Sequence, residues 1–229
     1  MNSLIETILK YQHTFKHLLG VPITESNAVK INLSTTNTEL KDIDIGNIKI
    51  LAEYINGKIV GNNKTYGIGG YNEDREIYQR SKHFGEDSLK RSIHLGIDIW
   101  HHANTNIKAP LNGITHSFKN NDNFGDYGPT LIVQHTLENH IFYTLYGHLN
   151  TDSIKQKQIG QTIIAGETIA SIGNESENGN WPPHLHFQII TDMQDYRGDY
   201  PGVCTKNQRT HFTDLCPDPN LILNIPFLR

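Results

Sequence analysis

TLIVQH (130–135) and HIFYTLY (140–146) decide the class of the fold. Both are short runs of β-branched and aromatic residues parted by polar ones, the composition of strands and not of helices. The texture extends in both directions, through THSF (115–118), QTIIAG (161–166), ETIASIG (167–173) and HLHFQII (184–190), with Gly, Asn and Asp clusters between. No long helical periodicity interrupts these runs. Short strands at such spacing predict a mainly β fold, an antiparallel sheet or barrel-sandwich. QTIIAGETIASIG reads as two strands about Gly166-Glu167.

Upstream, VKINLSTTN alternates apolar and polar at Val29, Ile31 and Leu33, and IKILAEYI adds another apolar-rich run to this strand-like region. GNNKTYGIGGYNE (61–73) is dense in Gly and Asn and reads as turns or a flexible loop. The first 19 residues hold no Pro or Gly and space Leu4, Ile5, Ile8, Leu9, Phe15, Leu18 and Leu19 mostly by three and four. That predicts an amphipathic N-terminal helix ended by Gly20 and Pro22, with at most a minor additional helix elsewhere. Beyond residue 191 the chain is turn-rich, and its last apolar run is expected to dock Leu221, Ile222 and Leu223 on the domain. The expected organisation is therefore 1–75 as helix and strands packing on a catalytic domain, 76–191 as that domain, and 192–229 as a docking tail.

The 229 residues carry 20 Lys and Arg against 24 Asp and Glu, a net charge of −4, with no dense basic cluster. Nucleic acid is excluded as the expected partner. No run approaches the ~18 apolar residues of a membrane span. Two cysteines, Cys204 and Cys216, are too few for a disulfide framework or a cysteine-based zinc module, though their spacing permits a pair. Glu6, Lys10 and His13 break the first apolar run, so it does not read as a secretory signal, and a cytoplasmic address is expected from the residues alone. Histidine is the excess: the chain has 13.

Two clusters concentrate ligand chemistry. His184 and His186 are two apart, so a strand projects both imidazoles from one face and sends Leu185 and Phe187 into a core. His94 and Asp98 are four apart, a helical spacing, yet Ile93, Ile97, Ile99 and Gly96 favour a strand bent at the glycine. His94, Asp98 and either histidine of HLH would supply the three protein ligands of a catalytic zinc, leaving one position open.

HxxxD followed about 90 residues later by HxH, with YGHL (146–149) between, resembles the lysostaphin-type (LytM-like) zinc metallopeptidases. The resemblance covers roughly residues 85–191 and includes HLGIDI, NGITH, GPTLIVQH, YGHL, GQTIIAGETIASIG and PHLHF. It implies a site on the floor of a groove in an antiparallel sheet. It also implies that His94, Asp98 and His186 bind Zn2+, and that His184 and His148 are catalytic. One of that pair would take a proton from water while the other, protonated, stabilises the oxyanion. The implied reaction is hydrolysis of peptide bonds in peptidoglycan cross-links, with peptidoglycan or muropeptides as substrate and the periplasm or wall as address.

Trp181, Tyr127 and Tyr143 are expected along such a groove. Asn62 and Asn72 are candidates for an upstream asparagine that blocks the metal, in which case a chain lacking its first 60–75 residues would be the more active. The other nine histidines are read as structural: His101 and His102 as exposed, His116, His135 and His140 on wet strand faces, His13 and His17 on a polar helix face, and His83 and His211 without partners. Rival readings are a cytoplasmic zinc hydrolase with a non-wall peptide substrate and a non-catalytic LytM-type binding or regulatory protein. An HxH oxygenase barrel is a third, but it wants a Glu where Gln188 stands.

Overall fold

Alternation in HLHFQII resolves into the central strand of the molecule. A computed structural model describes residues 3–80 and 90–228. Its strands are β1 (Ala28–Ile31), β2 (Tyr66–Gly69), β3 (Ile93–His94), β4 (Ile97–Trp100), β5 (Asn106–Lys108), β6 (Gly113–Asn121), β7 (Gly128–Leu137), β8 (His140–Gly147), β9 (Thr162–Ile163), β10 (Thr168–Ser171), β11 (His184–Ile190) and β12 (Val203–Cys204). Eight of them form one sheet in the order β1-β2-β4-β11-β8-β7-β6-β9. Every neighbouring pair in that sheet is antiparallel except β1 and β2, which run parallel. β11 lies between β4 and β8, and all seven of its residues are buried.

Period-two alternation then divides the faces. Leu185, Phe187 and Ile189 join Ile97, Ile99, Leu131, Val133, Phe142 and Tyr146 in the main core. Helix α1 (Ser3–Tyr11) packs there through Leu4 and Ile8, and the C-terminal segment through Ile222 and Ile225, with Leu221 and Leu223 half-buried beside them. The opposite face carries His184, His186 and Asp98. Two smaller apolar clusters flank them, one around Leu51, Ile55, Trp100 and Trp181, the other around Leu145, Ile190, Tyr200 and Cys216. Both cysteines are buried and unpaired with each other.

Four local expectations change. The helix expected to run to Gly20 ends at Tyr11, followed by one 3-10 turn at Gln12–Thr14. Phe15 is extended, and Lys16 N–H and Leu18 C=O bond to Pro110 and Lys108 instead of continuing the helical ladder. IKILAEYI is not strand-like but the body of helix α2 (Ile48–Gly61), capped by Asn47, which accepts from Lys49 N–H; Leu51, Ile55 and Ile59 form its buried stripe. QTIIAGETIASIG does contain two strands, but they separate: β9 pairs with β6, β10 with β5. Finally, the stretch expected as a flexible loop holds β2, which is wholly buried. Its glycines serve close approach: a Cβ at Gly69 would lie 2.5 Å from the Trp100 ring and 2.7 Å from an Arg75 nitrogen.

His135 also departs from expectation, being buried and not on a wet face. Its Nδ1–H donates to Asn112 C=O at 2.8 Å and Nε2 meets the Thr144 hydroxyl at 2.8 Å. Burial lowers its pKa from 6.5 to about 4. The folded chain therefore binds a proton less readily than the unfolded one, so His135 costs nothing above pH 6.5 and stability falls as pH drops towards 4. The full loss is about 3 kcal/mol. Urea unfolding at pH 7.5 and pH 4.5 should show a smaller acid loss in His135→Gln than in the parent; equal losses would refute the assignment.

Candidate metal centre

Strand register brings the chemistry together. Across β4 and β11, Asp98 faces His186 and Trp100 faces His184. The break at Leu95-Gly96 between β3 and β4 turns His94 towards the same point, as the bent-strand reading requires. Close packing demands the glycine: a Cβ at Gly96 would stand 2.5 Å from the His186 ring. His148 directly follows β8 with a positive φ of 60°, which swings its ring beside His184. The ring centroids of His148 and His184 are 4.2 Å apart.

His94 Nε2, His186 Nδ1 and Asp98 Oδ1 form a triangle with sides of 3.0, 3.2 and 3.2 Å. Among the described residues this is the one group of three that could hold a metal. The outer partners settle the tautomers, because a carbonyl only accepts. His94 Nδ1–H donates to Gly70 C=O at 2.9 Å. His186 Nε2–H donates to Gln188 Oε1 at 2.9 Å, and the Gln188 amide is itself oriented by donating to Pro201 C=O and Cys216 Sγ. Each imidazole thus spends its only proton outward, and three lone pairs converge inward. Such convergence is stable only around a cation. The sides match the edge of a zinc tetrahedron, about 3.3 Å for Zn–N and Zn–O bonds of about 2.0–2.2 Å, so these residues fit zinc.

Electrostatics agree. Burial alone would raise the Asp98 carboxyl, but it is held well below the usual carboxylate range, and with His94 unprotonated at neutral pH the cation beside it is the Arg75 guanidinium. Burial first, and then the Arg75 charge, bring His94 down to about 4, leaving its Nε2 unprotonated at neutral pH. His184 and His148 are both lowered, chiefly by burial, and His148 also by its neighbour His184. Their Nδ1–H groups donate to Pro182 and Asn178 carbonyls at 2.7 and 2.8 Å, so each presents Nε2 as an acceptor. His184 Nε2 lies 3.8 Å from Asp98 Oδ1.

A cavity of about 170 Å³ opens on this cluster, and Tyr127 and Trp181 line it. Tyr143 does not; it is half-buried on the neighbouring cluster with its ring against His116. Neither candidate blocking asparagine reaches the site. Asn62 caps α2 and donates to Lys58 C=O, while Asn72 accepts from Arg209. His13, His17, His102 and His211 are exposed, His101, His116 and His140 are half-buried, and His83 lies outside the described residues.

Sequence reasoning missed Arg75, Gln188 and Gly70. Gln188 was legible in principle, standing two residues beyond His186 on the same face of its strand. Arg75 was not, because it lies in an isolated bridge with Ser34, outside the short motifs that carry the ligands. Its guanidinium is buried against Asp98 Oδ2 at 2.6 Å and Glu73 Oε2 at 2.6 Å.

Comparison with known proteins places residues 92–197 as a match to Peptidase family M23. Solved structures with a similar arrangement include the lysostaphin catalytic domain from Staphylococcus simulans, 18% identical, with a TM-score of 0.41, covering 58% of this chain and 80% of that one. LytU is 25% identical with a TM-score of 0.36 over 58% of this chain and 85% of that one. A zinc-containing peptidase from Vibrio cholerae is 24% identical with a TM-score of 0.35; the match covers 43% of this chain and only 27% of that longer one. No curated protein matches the chain.

Two consequences are measurable by zinc titration against a chromogenic chelator. The parent is expected to take up one zinc, and His94→Ala, Asp98→Ala and His186→Ala should each abolish that uptake. Gly96→Ala, which alters no ligand, should weaken zinc by roughly tenfold or more through displacement of His186; undiminished affinity would contradict the close packing described.

Proposed function

Taking residues 92–197 as a peptidase family M23 domain, we propose that this chain is a zinc-dependent endopeptidase acting on peptide bonds of peptidoglycan cross-links. The observation that carries the reading is the convergence of three unprotonated ligand atoms beside two imidazoles that both offer a free Nε2. The substrate class comes from the lysostaphin-type motifs of residues 85–191. Zinc, when bound, supplies a Lewis acid that polarises a peptide carbonyl and acidifies water.

The chain's own residues handle the proton. One Nε2 of the His148–His184 pair takes it from the attacking water as the new C–O bond forms. The same pair returns it to the departing amine as the C–N bond breaks, so one proton circulates and none is consumed. Carbonyl bonds from Asn178 and Pro182 hold the two rings in the tautomer this requires. Aromatic walls hold their orientation: His184 stacks on Trp100 at 5.6 Å between centroids, and His148 lies against Tyr127 and Trp181. Burial of all these groups keeps competing water out and strengthens each hydrogen bond.

Digestion of intact sacculi and of soluble cross-linked muropeptides, with and without chelator, tests the reading. Chelator-sensitive cleavage of either is expected; a preference for soluble fragments would point to recycling instead of wall remodelling. His148→Ala and His184→Ala should lower turnover about 10²–10⁴-fold while zinc stoichiometry stays unchanged. Absence of zinc-dependent cleavage of any cross-link would overturn the proposal.

A further inference from the structure

Arg75 stands ahead of the family-matched stretch and of every lysostaphin-type motif, yet it touches the metal triad. The segment that carries it is laced to β3: Asn72 N–H bonds His94 C=O, His94 N–H bonds Glu73 C=O, and Arg75 N–H bonds Ser92 C=O, all at 2.8–2.9 Å. Its side chain is 2% exposed. Nη1 donates to Asp98 Oδ2 at 2.6 Å and to the Tyr78 hydroxyl at 3.2 Å, and Nε donates to Glu73 Oε2 at 2.6 Å. Nη2 donates to Gly70 C=O at 3.3 Å, the same carbonyl that accepts His94 Nδ1–H.

We propose that Arg75 is a positioning residue of the metal centre, joining two ligands into one rigid unit. It takes Asp98 by Oδ2, leaving Oδ1 as the oxygen that faces the two imidazoles and would hold the metal. Through Gly70 it also steadies the carbonyl that orients His94. The proposal rests on the zinc reading above and extends it to a residue that reading does not assign.

Three observations favour this role over others. All three guanidinium nitrogens are already committed to partners, so Arg75 is not a substrate-binding cation. A buried ion pair is weak evidence for net stability, since apolar residues often replace one without loss, and packing alone does not call for it here. The fork geometry also matters: a planar guanidinium reaches Asp98, Glu73 and Gly70 together, whereas the point charge of lysine cannot. Glu73 fixes the far side of that fork and is itself held by Leu33 N–H at 3.3 Å.

The test measures zinc affinity of the full chain by chelator competition and the visible absorption of its Co2+ form, which reports coordination geometry. The variants are Arg75→Lys, which keeps the buried charge and so the fold, and Glu73→Gln, which keeps Arg75 but loosens its far anchor. Arg75→Lys is expected to weaken zinc about 10–100-fold and to change the Co2+ spectrum. Glu73→Gln should shift both in the same direction by less. A purely structural role would lower the melting temperature and leave the spectrum and affinity of the folded protein unmoved. That result, with the parent binding zinc, overturns this proposal alone. A parent that takes no zinc removes the metal reading itself.

Discussion

Everything around the site depends on keeping one carboxylate charged where little water reaches it. Asp98 is 3% exposed, and a bare anion at that depth would protonate instead of remaining charged. The fold answers chiefly with one cation: Arg75 donates to Oδ2, while the unprotonated nitrogens of His94, His186 and His184 are ranged around Oδ1. The charge on Arg75 acts in two senses. It secures Asp98 as an anion, and it disfavours a proton on His94. Both effects leave lone pairs directed inward, so the same electrostatics that allow the carboxylate to be buried also shape the triad on which the zinc proposal rests.

The larger part of the fold was readable because its strands alternate strictly. HLHFQII shows two imidazoles on one face and two core residues on the other, and the tertiary structure keeps that division. Readings failed where tertiary contacts overrode local signals. At Lys16 and Leu18 the backbone found partners on another segment, which a helical periodicity cannot reveal. At Gly69, glycine looked like mobility but marks a place where Trp100 and Arg75 press against the backbone. IKILAEYI was short enough to suit either period, and the deciding signal, Asn47 as helix cap, lies just outside it.

Legibility of the site follows the same division. His94, Asp98, His184 and His186 are linked by spacing within short motifs, and His148 by the strand it directly follows. Geometry sets those five side by side. Arg75, Gly70 and the carbonyls of Asn178 and Pro182 carry no such pattern. A backbone carbonyl has no residue identity, and an arginine outside every motif announces nothing until the carboxylate it bonds is placed beside it. What sequence leaves out is therefore systematic: it is the outer layer of partners that selects tautomers and orientations.

The pairing of β2 with β4 bears on how the molecule could be shortened. β4 supplies Asp98, and its free side is occupied only because β2 lies along it, followed by β1. Trimming the chain to its family-matched residues would leave the Ile97–Trp100 backbone as an open hydrogen-bonding edge running past the ligands. Such an edge recruits whatever strand it meets, including that of another copy. The leading segment is in this sense a chaperone held in cis: it keeps the central sheet from seeking a different neighbour.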